Sequence, residues 1–484
     1  MRTASLLIAL ALAAPAAFAA DTGLDDAAIA TAAQLRDRAL AGSEAFAFVE
    51  GLTTEVGPRL AGTEADARGV RWAEAKFRAM GFDKVYLEPV TFPVWLRHRE
   101  RAEVLAPFPQ PLVITALGGS IGTGDKPLDA EVVEFATLDA LKAAPDGSLA
   151  GKIAFISNRM VRFKDGRGYG PAVGARSNGA VEAARKGAVA VLIRSIGTSS
   201  DRFAHTGTMR YVPDVPRIPA AALSNPDADL IEHMVARGKP VRLRLDIAAE
   251  TLADYTSHNV IGEIRGRDLP GEVVTIGGHL DSWDLGTGAI DDGAGIGITF
   301  AAGALIGQLE RAPRRTVRVI AYANEEQGLY GGKAYAEARA AAGEIDAHQL
   351  SAESDFGAGR VYALRAGVDP AAWPVLEKIG EVLAPLGVAT EAGVGSPGPD
   401  VGPIVAKGAP WAQLAQDGTD YFDYHHTPND TLDKIDPKAL DQQVAASAVL
   451  APVSVMRVPL AQQAPASRTR SRSPPWAPAP APSP

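Results

Sequence analysis

Short, glycine-rich segments in the second half of the chain bring histidine and acidic side chains together at spacings that suit metal binding. The first, at 277–283, reads Gly-Gly-His-Leu-Asp-Ser-Trp and directly follows the apolar run 273–276, which predicts a strand. His279 and Asp281 therefore lie at the carboxyl end of that strand and, two residues apart, share one face of an extended backbone. A carboxylate beside a histidine can fix its tautomer and raise its basicity as a ligand. Alone, the pair is more typical of an exposed histidine.

Two adjacent aspartates, Asp291 and Asp292, precede a run of small residues that predicts a helix over 293–309. An N-cap, in which a carboxylate oxygen accepts from free backbone N–H groups, explains one of the two. The first helical turn has almost no side-chain bulk, which indicates close approach to another part of the backbone. Its glycine spacing departs from the G-x-G-x-x-G pattern of dinucleotide-binding loops.

Two adjacent glutamates, Glu325 and Glu326, follow the apolar run 317–321, so they also come at the end of a predicted strand. Adjacent glutamates repel each other and usually occupy a solvated loop. Beside a divalent cation the pair has a chemical use, because one carboxylate can bind the metal while the other accepts a proton from water.

The remaining candidates are Asp355, in the segment 353–357, and the adjacent histidines at 425 and 426. The chain has 8 histidines and no cysteine, so a zinc site would use His, Asp and Glu ligands. Each segment alone could be a turn or a surface loop. Five such segments in one part of the chain, two of them after predicted strands, favour a metal hydrolase.

The elements around these segments predict an α/β protein. Strands alternate with helices from about residue 258, which favours a sheet covered by helices on both faces. Ligands in such folds gather at the carboxyl ends of the strands. Between 111 and 254 the pattern changes to short β-rich runs with dense turn residues and one clear helix at 178–186. This change predicts a small domain inserted into a larger one.

The ends of the chain predict export and a solvated tail. A short apolar run at 6–14, followed by Ala17-Phe18-Ala19, is typical of a secretory signal cut after Ala19, and it is too short to span a membrane. We therefore expect a periplasmic or secreted protein with no membrane span. The proline-rich segment 459–484 predicts disorder. A net charge of −9 gives no basic patch for nucleic acid.

Taken in order, these motifs resemble those of the M28 metallopeptidases. They read His-x-Asp, Asp-Asp-Gly-x-Gly, Asn-Glu-Glu-x-Gly, an isolated Asp, and Tyr-x-His-Thr-x-x-Asp-Thr. The insertion and Glu353-Ser354-Asp355 are most similar to the carboxypeptidase Q (plasma glutamate carboxypeptidase) branch.

The resemblance covers roughly 25–458 and implies the zinc-exopeptidase fold, a mixed central sheet flanked by helices. That peptidase domain would span 20–110 and 255–458, after a signal peptide at 1–19, and 111–254 would be a β-rich protease-associated domain.

The resemblance also implies the zinc ligands. His279 and Asp355 would hold one zinc ion, Glu326 and His426 would hold a second, and Asp291 would bridge the two.

The same resemblance implies the roles of two further residues. Asp281 would orient His279, and Glu325 would be the general base. Glu325 would take a proton from water held between the zinc ions, so that hydroxide attacks the peptide carbonyl, and would then pass the proton to the leaving amine.

Two finer expectations follow from the family pattern. His426, not His425, matches the ligand because it stands four residues before Asp430. The peptide bond between Asp291 and Asp292 is expected to be cis.

We expect short peptides with a free N-terminus as substrates, although the motifs leave amino- and carboxy-terminal specificity open. The resemblance is also compatible with a homodimer. Two alternatives remain: a one-zinc acyltransferase similar to glutaminyl cyclases, and a non-catalytic binding protein similar to the transferrin receptor. Both fit less well, because neither a ligand nor the base is missing.

Overall fold

The computed structural model describes residues 26–453, so the predicted signal peptide and the proline-rich tail lie outside the described residues. Within that range 14 strands form one mixed sheet. The strands are β1 (Lys84–Ala106), β2 (Gln110–Leu112), β3 (Ile114–Ala116), β4 (Leu128–Phe135), β5 (Ile153–Ile156), β6 (Ala190–Arg194), β7 (Ala220–Leu223), β8 (Arg242–Ile264), β9 (Leu269–His279), β10 (Arg315–Tyr322), β11 (His348–Glu353), β12 (Val361–Gly367), β13 (Ala389–Glu391) and β14 (Trp411–Gln416).

Helices cover both faces of the sheet in the same residue range. They are α1 (Asp26–Ala41), α2 (Ala45–Gly51), α3 (Glu64–Ala79), α4 (Leu138–Ala143), α5 (Tyr169–Arg185), α6 (Asn225–Ala236), α7 (Ala294–Gly307), α8 (Tyr330–Ala341), α9 (Trp373–Leu383), α10 (Gly402–Val405), α11 (Tyr421–Tyr424) and α12 (Pro437–Val453). A single π-helical turn follows α2 at Leu52–Val56. The segment Ala289–Gly293, which precedes α7, is irregular, because Asp291 and Asp292 have non-helical backbone angles.

Strand β10 shows how alternating side chains build two cores. Val317, Val319 and Ala321 face the core that contains α7 and α12, whereas Ile320 and Tyr322 face the core that contains α8 and α10. This alternation follows from the two-residue period of a strand. The predicted α/β class, with a mixed central sheet flanked by helices, is confirmed.

The centre of the sheet is parallel and sets up one functional edge. Strand β9 lies between β10 and β11 and runs parallel to both. His279 is level with Tyr322 of β10, and Gly277 is level with Glu353 of β11. The carboxyl ends of the three strands therefore meet, and so do the loops that follow them.

Two 23-residue strands, β1 and β8, pair antiparallel from Lys84 opposite Glu263 to Ala106 opposite Arg242. Register shifts between Pro93 and Trp95 let one strand bend without ending.

Between 111 and 254 the chain adds β4, β5, β6, β7 and β3 in this spatial order. Strands β4 to β7 are mutually parallel, β3 is antiparallel to β7, and most of their apolar side chains form a second buried cluster. The predicted boundary at 254 falls inside β8, so the long ribbon connects both parts of the molecule. The helix predicted at 178–186 begins earlier, at Tyr169.

One stretch of the described chain, Ala289–Gly307, is long and apolar enough to cross a membrane by composition. It is 94% buried inside the protein, as expected of a central core helix.

Candidate metal centre

The carboxyl ends of the three central strands carry three of the predicted site segments. His279 is the last residue of β9, Glu325 and Glu326 follow β10 by a short loop, and Asp355 is the second residue after β11. The parallel register brings these loops to one place, as the sequence predicted.

Asp292 caps the helix that points at this edge. One of its carboxylate oxygens accepts from the N–H of Gly295 at 3.0 Å, and the other accepts from the N–H of His279 at 3.0 Å. The peptide bond between Asp291 and Asp292 is cis, as the family pattern implied. Because backbone donors occupy both oxygens of Asp292, Asp291 is the aspartate whose side chain is free to meet the histidines.

The carboxylate of Asp291 lies between two histidines. Its Oδ1 is 3.1 Å from Nε2 of His279, and its Oδ2 is 3.2 Å from Nε2 of His426. Asp355 adds an oxygen 3.6 Å from Nε2 of His279, and Glu326 adds one 2.9 Å from Nε2 of His426. The structure thus brings all five predicted ligands together, in two groups that share Asp291.

These side chains fit zinc. Ligand atoms about 2.0–2.2 Å from one tetrahedral ion lie roughly 3.3–3.6 Å from each other, close to the separations found here. Oδ2 of Asp291 and Oε1 of Glu326 are buried and accept no hydrogen bond, although buried carboxylate oxygens normally do. A cation beside them would satisfy both atoms.

His425 also lies close to this centre. Its ring stacks on that of His426, with centroids 3.5 Å apart, and its Nε2 is 3.6 Å from Oδ2 of Asp291. His426 is nearer to Asp291 and also meets Glu326, whereas Nδ1 of His425 has no hydrogen-bond partner. Distance alone therefore favours His426 as the ligand.

Asp281 is more than a support for His279. The Nδ1 atom of His279 is 3.0 Å from the backbone carbonyl of Asp281 and 3.6 Å from its carboxylate. The carboxylate accepts from the backbone N–H of Glu325 at 2.9 Å and from that of Glu326 at 3.3 Å. Asp281 therefore holds the backbone of both glutamates, which its spacing from His279 did not indicate.

Burial and crowded charge perturb the titration of this site. Burial lowers the pKa of His279, but hydrogen bonds to Asp281, Asp291 and Asp355 outweigh it and raise the pKa well above its ordinary value. Burial, with the charge of Asp355, raises the pKa of Glu325 well above its ordinary value, although His279 opposes this. The crowding of acids indicates a site built for positive charge.

Asp430 supports the loop that carries Asp291. Its carboxylate accepts from the N–H of Ile290 at 2.6 Å and from that of Asp291 at 3.1 Å. Burial and the charge of Asp291 raise the pKa of Asp430 to about 7. Asp430 belongs to the motif in which His426 stands four residues earlier, but the motif did not indicate that Asp430 supports the loop that carries Asp291.

Arg59 holds the same loop from the other side, and no pattern in the sequence indicated this role. The side chain is completely buried. Its three nitrogens donate to the backbone carbonyls of Leu280, Thr287 and Gly288.

The segment 111–254 reaches the centre directly. Nδ1 of His426 is 3.2 Å from the carbonyl of Thr206, whose N–H donates to the carbonyl of His426 at 3.0 Å. Nδ1 of His205 is 2.8 Å from the carbonyl of His425. A bond from Nδ1–H to Thr206 leaves Nε2 of His426 free for a metal. No pattern in the sequence predicted this contact.

Comparison with known proteins gives consistent results. Residues 259–451 match the family described as Peptidase family M28. Carboxypeptidase Q of Bos taurus is 35% identical over 417 residues, which cover 86% of this chain and 85% of that protein. Carboxypeptidase Q of Homo sapiens is 35% identical over 82% of each chain.

Two solved structures extend the comparison. A Peptidase M28 precursor from Shewanella amazonensis SB2B is 54% identical, covers 89% of this chain and 97% of its own, and superposes with a TM-score of 0.87. BSAP, a zinc aminopeptidase from Bacillus subtilis, is 20% identical over 85% of this chain and 97% of its own, with a TM-score of 0.62, which indicates a shared fold.

Proposed function

The chain belongs to peptidase family M28, and on that premise we propose that it cleaves short peptides as a two-zinc exopeptidase. Family membership makes it a zinc-dependent hydrolase of peptide bonds. The number of zinc ions, the ligands, the base and the substrate are the proposed part. The proposed ligands are His279, Asp291, Glu326, Asp355 and His426.

One observation carries the proposal: the two oxygens of Asp291 face two separate histidines, at 3.1 and 3.2 Å. Each histidine has its own additional carboxylate, Asp355 for His279 and Glu326 for His426. A single ion would need only one such group. Two groups sharing one carboxylate support a pair of ions with Asp291 between them.

Bound zinc supplies the Lewis acid that polarises the peptide carbonyl and lowers the pKa of water. Glu325 serves as the general base, accepting a proton from the attacking water and donating it to the leaving nitrogen. The bond from its N–H to Asp281 and the half-buried position of its side chain support this role. A base held in this way needs little reorganisation during the reaction.

We also propose the domain division and the export inferred from the sequence. Residues 20–110 and 255–458 form the peptidase domain, and 111–254 form an inserted protease-associated domain whose Thr206 contacts His426. The apolar run 6–14 before the alanines at 17 and 19 supports removal of 1–19 and export to the periplasm or medium.

Short peptides with a free N-terminus are the proposed substrates. Two acidic side chains beyond the proposed ligands, Glu353 and Asp400, suit an ammonium group. Each has one buried carboxylate oxygen without a hydrogen-bond donor. The other oxygen of Glu353, Oε2, accepts from the backbone N–H of Asp400 at 2.9 Å.

The test is a panel of dipeptides and end-blocked peptides, assayed with and without a chelator, together with zinc analysis. We expect two zinc ions per chain, chelator-sensitive hydrolysis of dipeptides, and no cleavage once the amine is blocked. Full hydrolytic activity with one zinc ion per chain would contradict the two-zinc site. Zinc binding without any hydrolysis would favour a non-catalytic protein.

A further inference from the structure

Arg97 is an arginine with a buried side chain that joins separate parts of the molecule. It lies on β1, and its side chain is 6% exposed. Its Nε donates to both carboxylate oxygens of Asp284, at 3.0 and 2.9 Å, and one terminal nitrogen donates to the same carboxylate at 2.7 Å. The other terminal nitrogen donates to the carbonyl of Ala116 at 3.1 Å and to the hydroxyl of Thr115. The guanidinium therefore connects β1 with β3 and with the loop after β9.

The same guanidinium reaches the contact between Thr206 and His426. The terminal nitrogen that binds Asp284 is also 3.3 Å from the hydroxyl of Thr206, and that hydroxyl donates to the carbonyl of Ala116 at 2.9 Å. The backbone of Thr206 pairs with His426 in both directions, because its N–H donates to the carbonyl of His426 and its own carbonyl is 3.2 Å from Nδ1 of the ring. Only Thr206 lies between Arg97 and a proposed zinc ligand along this route.

Trp283 provides a second contact between Arg97 and the same histidine ring. The guanidinium of Arg97 lies 5.7 Å from the centroid of the indole, and the indole makes an edge contact with His426, with ring centroids 5.7 Å apart. The indole is 3% exposed, and a Cβ on Gly118 would overlap it, so the neighbouring backbone packs closely against this ring. Thr206 therefore holds Nδ1 of His426, Trp283 packs against its ring, and both of these residues contact Arg97.

The chemistry of arginine suits a geometric role in this cluster. A buried ion pair adds little net stability compared with apolar side chains of similar size, because desolvation offsets the attraction. The rigid, planar fork of arginine instead fixes the relative positions of the groups that it binds. Asp284 belongs to the loop that follows His279, whereas Thr206 belongs to the segment 111–254. Arg97 therefore sets the position of this segment relative to the metal-binding loop.

We propose that Arg97 is a positioning residue for the zinc ion that Glu326 and His426 would hold. Through Thr206, and with Trp283 packed against the ring, it orients His426 so that Nε2 faces the metal. Changing a residue that orients a ligand histidine typically costs roughly 10- to 100-fold in metal affinity. The inference rests on the proposed function and deepens it, because occupancy of this zinc site then depends on the position of the segment 111–254.

The test is a zinc titration of the full chain against a competing chelator, which reports the affinity for each ion without any turnover. Lysine keeps the charge of Arg97 but not the planar fork, so Arg97→Lys should weaken one zinc ion by roughly 10- to 100-fold and leave the other unchanged. His426→Ala identifies the affected ion. In that background, which should retain only the ion at His279, Arg97→Lys should have no further effect on zinc affinity.

Variants of Thr206 test whether Arg97 acts through this residue, and they keep the proposal testable if Arg97→Lys does not fold. Thr206→Val removes the hydroxyl but keeps the backbone carbonyl and the side-chain shape, so it should weaken the same zinc ion. Thr206→Ser retains the hydroxyl and should keep wild-type affinity. When Thr206→Val is combined with Arg97→Lys, the two losses should be less than additive in free energy, because both changes break one route. Wild-type zinc affinity in Thr206→Val would overturn this route.

Arg99→Lys is the matched control on the same strand. Arg99 forms an ion pair with Asp246 at 2.8 Å, and its side chain is 50% exposed. It has no contact with Thr206 or with Trp283 among residues 26–453. The control variant should therefore bind both zinc ions with wild-type affinity, and a selective loss of one ion from it would overturn the specific role of Arg97.

The outcomes separate the two proposals. If the wild type binds two zinc ions and Arg97→Lys binds both with unchanged affinity, the positioning role is wrong while the two-zinc peptidase stands. Equal weakening of both ions in Arg97→Lys would have the same meaning, because it would indicate a general loss of structure. A wild-type chain that binds fewer than two zinc ions would overturn the proposed function and, with it, this inference.

Discussion

His425 and His426 show how little separates a proposed ligand from its neighbour. Their rings stack, both are buried, and both come within 3.6 Å of Asp291. The difference is that His426 also meets Glu326, and its far nitrogen reaches the carbonyl of Thr206. The second bond fixes the ring so that Nε2 faces the carboxylates.

This difference leads to a prediction at the residue scale. His426→Ala should lose one of two zinc ions per chain and nearly all activity, because Glu326 and Asp291 alone leave one ion without its nitrogen ligand. His425→Ala is the matched control and should retain both ions. Metal analysis of both variants after gel filtration tests which histidine binds zinc. Loss of zinc from the His425 variant alone would identify His425 as the ligand instead of His426.

At the scale of elements, the sequence predicted the strand ends well. Buried central strands read as apolar runs, and the residues directly after them, such as His279, were predictable as site residues. Contacts between distant segments were not predictable, because no local pattern encodes them. Arg59 and Asp430 reach the 280–291 loop from opposite ends of the chain, and only the folded protein shows it.

The glycine at position 295 links the first turn of α7 to the end of β11. A Cβ there would overlap the carbonyl of Ser354, next to Asp355, and the carboxylate of Asp292. Gly295→Ala should therefore lower the free energy of unfolding by about 1–3 kcal/mol and weaken zinc binding.

Gly307→Ala, in the last turn of the same helix, is the control for that substitution. Its Cβ would make an ordinary contact with Ile264 at 3.8 Å, and alanine should stabilise the helix by about 0.5–1 kcal/mol. Denaturant unfolding and zinc titration of both variants provide the comparison. Equal stability and zinc affinity in the two variants would show that the close approach at Gly295 has no importance.

At the scale of the whole molecule, the two parts are joined by the β1–β8 ribbon and by contacts at the metal centre. Arg162 pairs with Asp423 at 2.6 Å, and Thr198 donates to the carbonyl of Phe422 at 2.9 Å, just before the two histidines. The sequence suggested an inserted domain but not its contact with the site, because those residues lie over 200 positions apart.

Without cysteine, the fold has no disulfide, and metal binding should contribute to its stability. Zinc binds the folded chain and not the dispersed ligands of the unfolded one, so free zinc at 100 times its Kd should add about 2.7 kcal/mol for each bound ion. We expect the Tm to fall with chelator and to recover with zinc. The Tm of Asp291→Ala should respond much less to zinc than the Tm of the wild type. An equal response in the variant and the wild type would contradict the proposal that both zinc ions share the carboxylate of Asp291.

The most direct test of the central claim is the Glu325→Gln enzyme, measured for zinc content and for dipeptide turnover in the same preparation. Glutamine keeps the size and position of the side chain but cannot accept the proton from water. We predict two zinc ions per chain, as in the wild type, and turnover reduced by roughly 10²- to 10⁴-fold. Near-wild-type turnover with both zinc ions in place would contradict the role of Glu325 and the proposed mechanism.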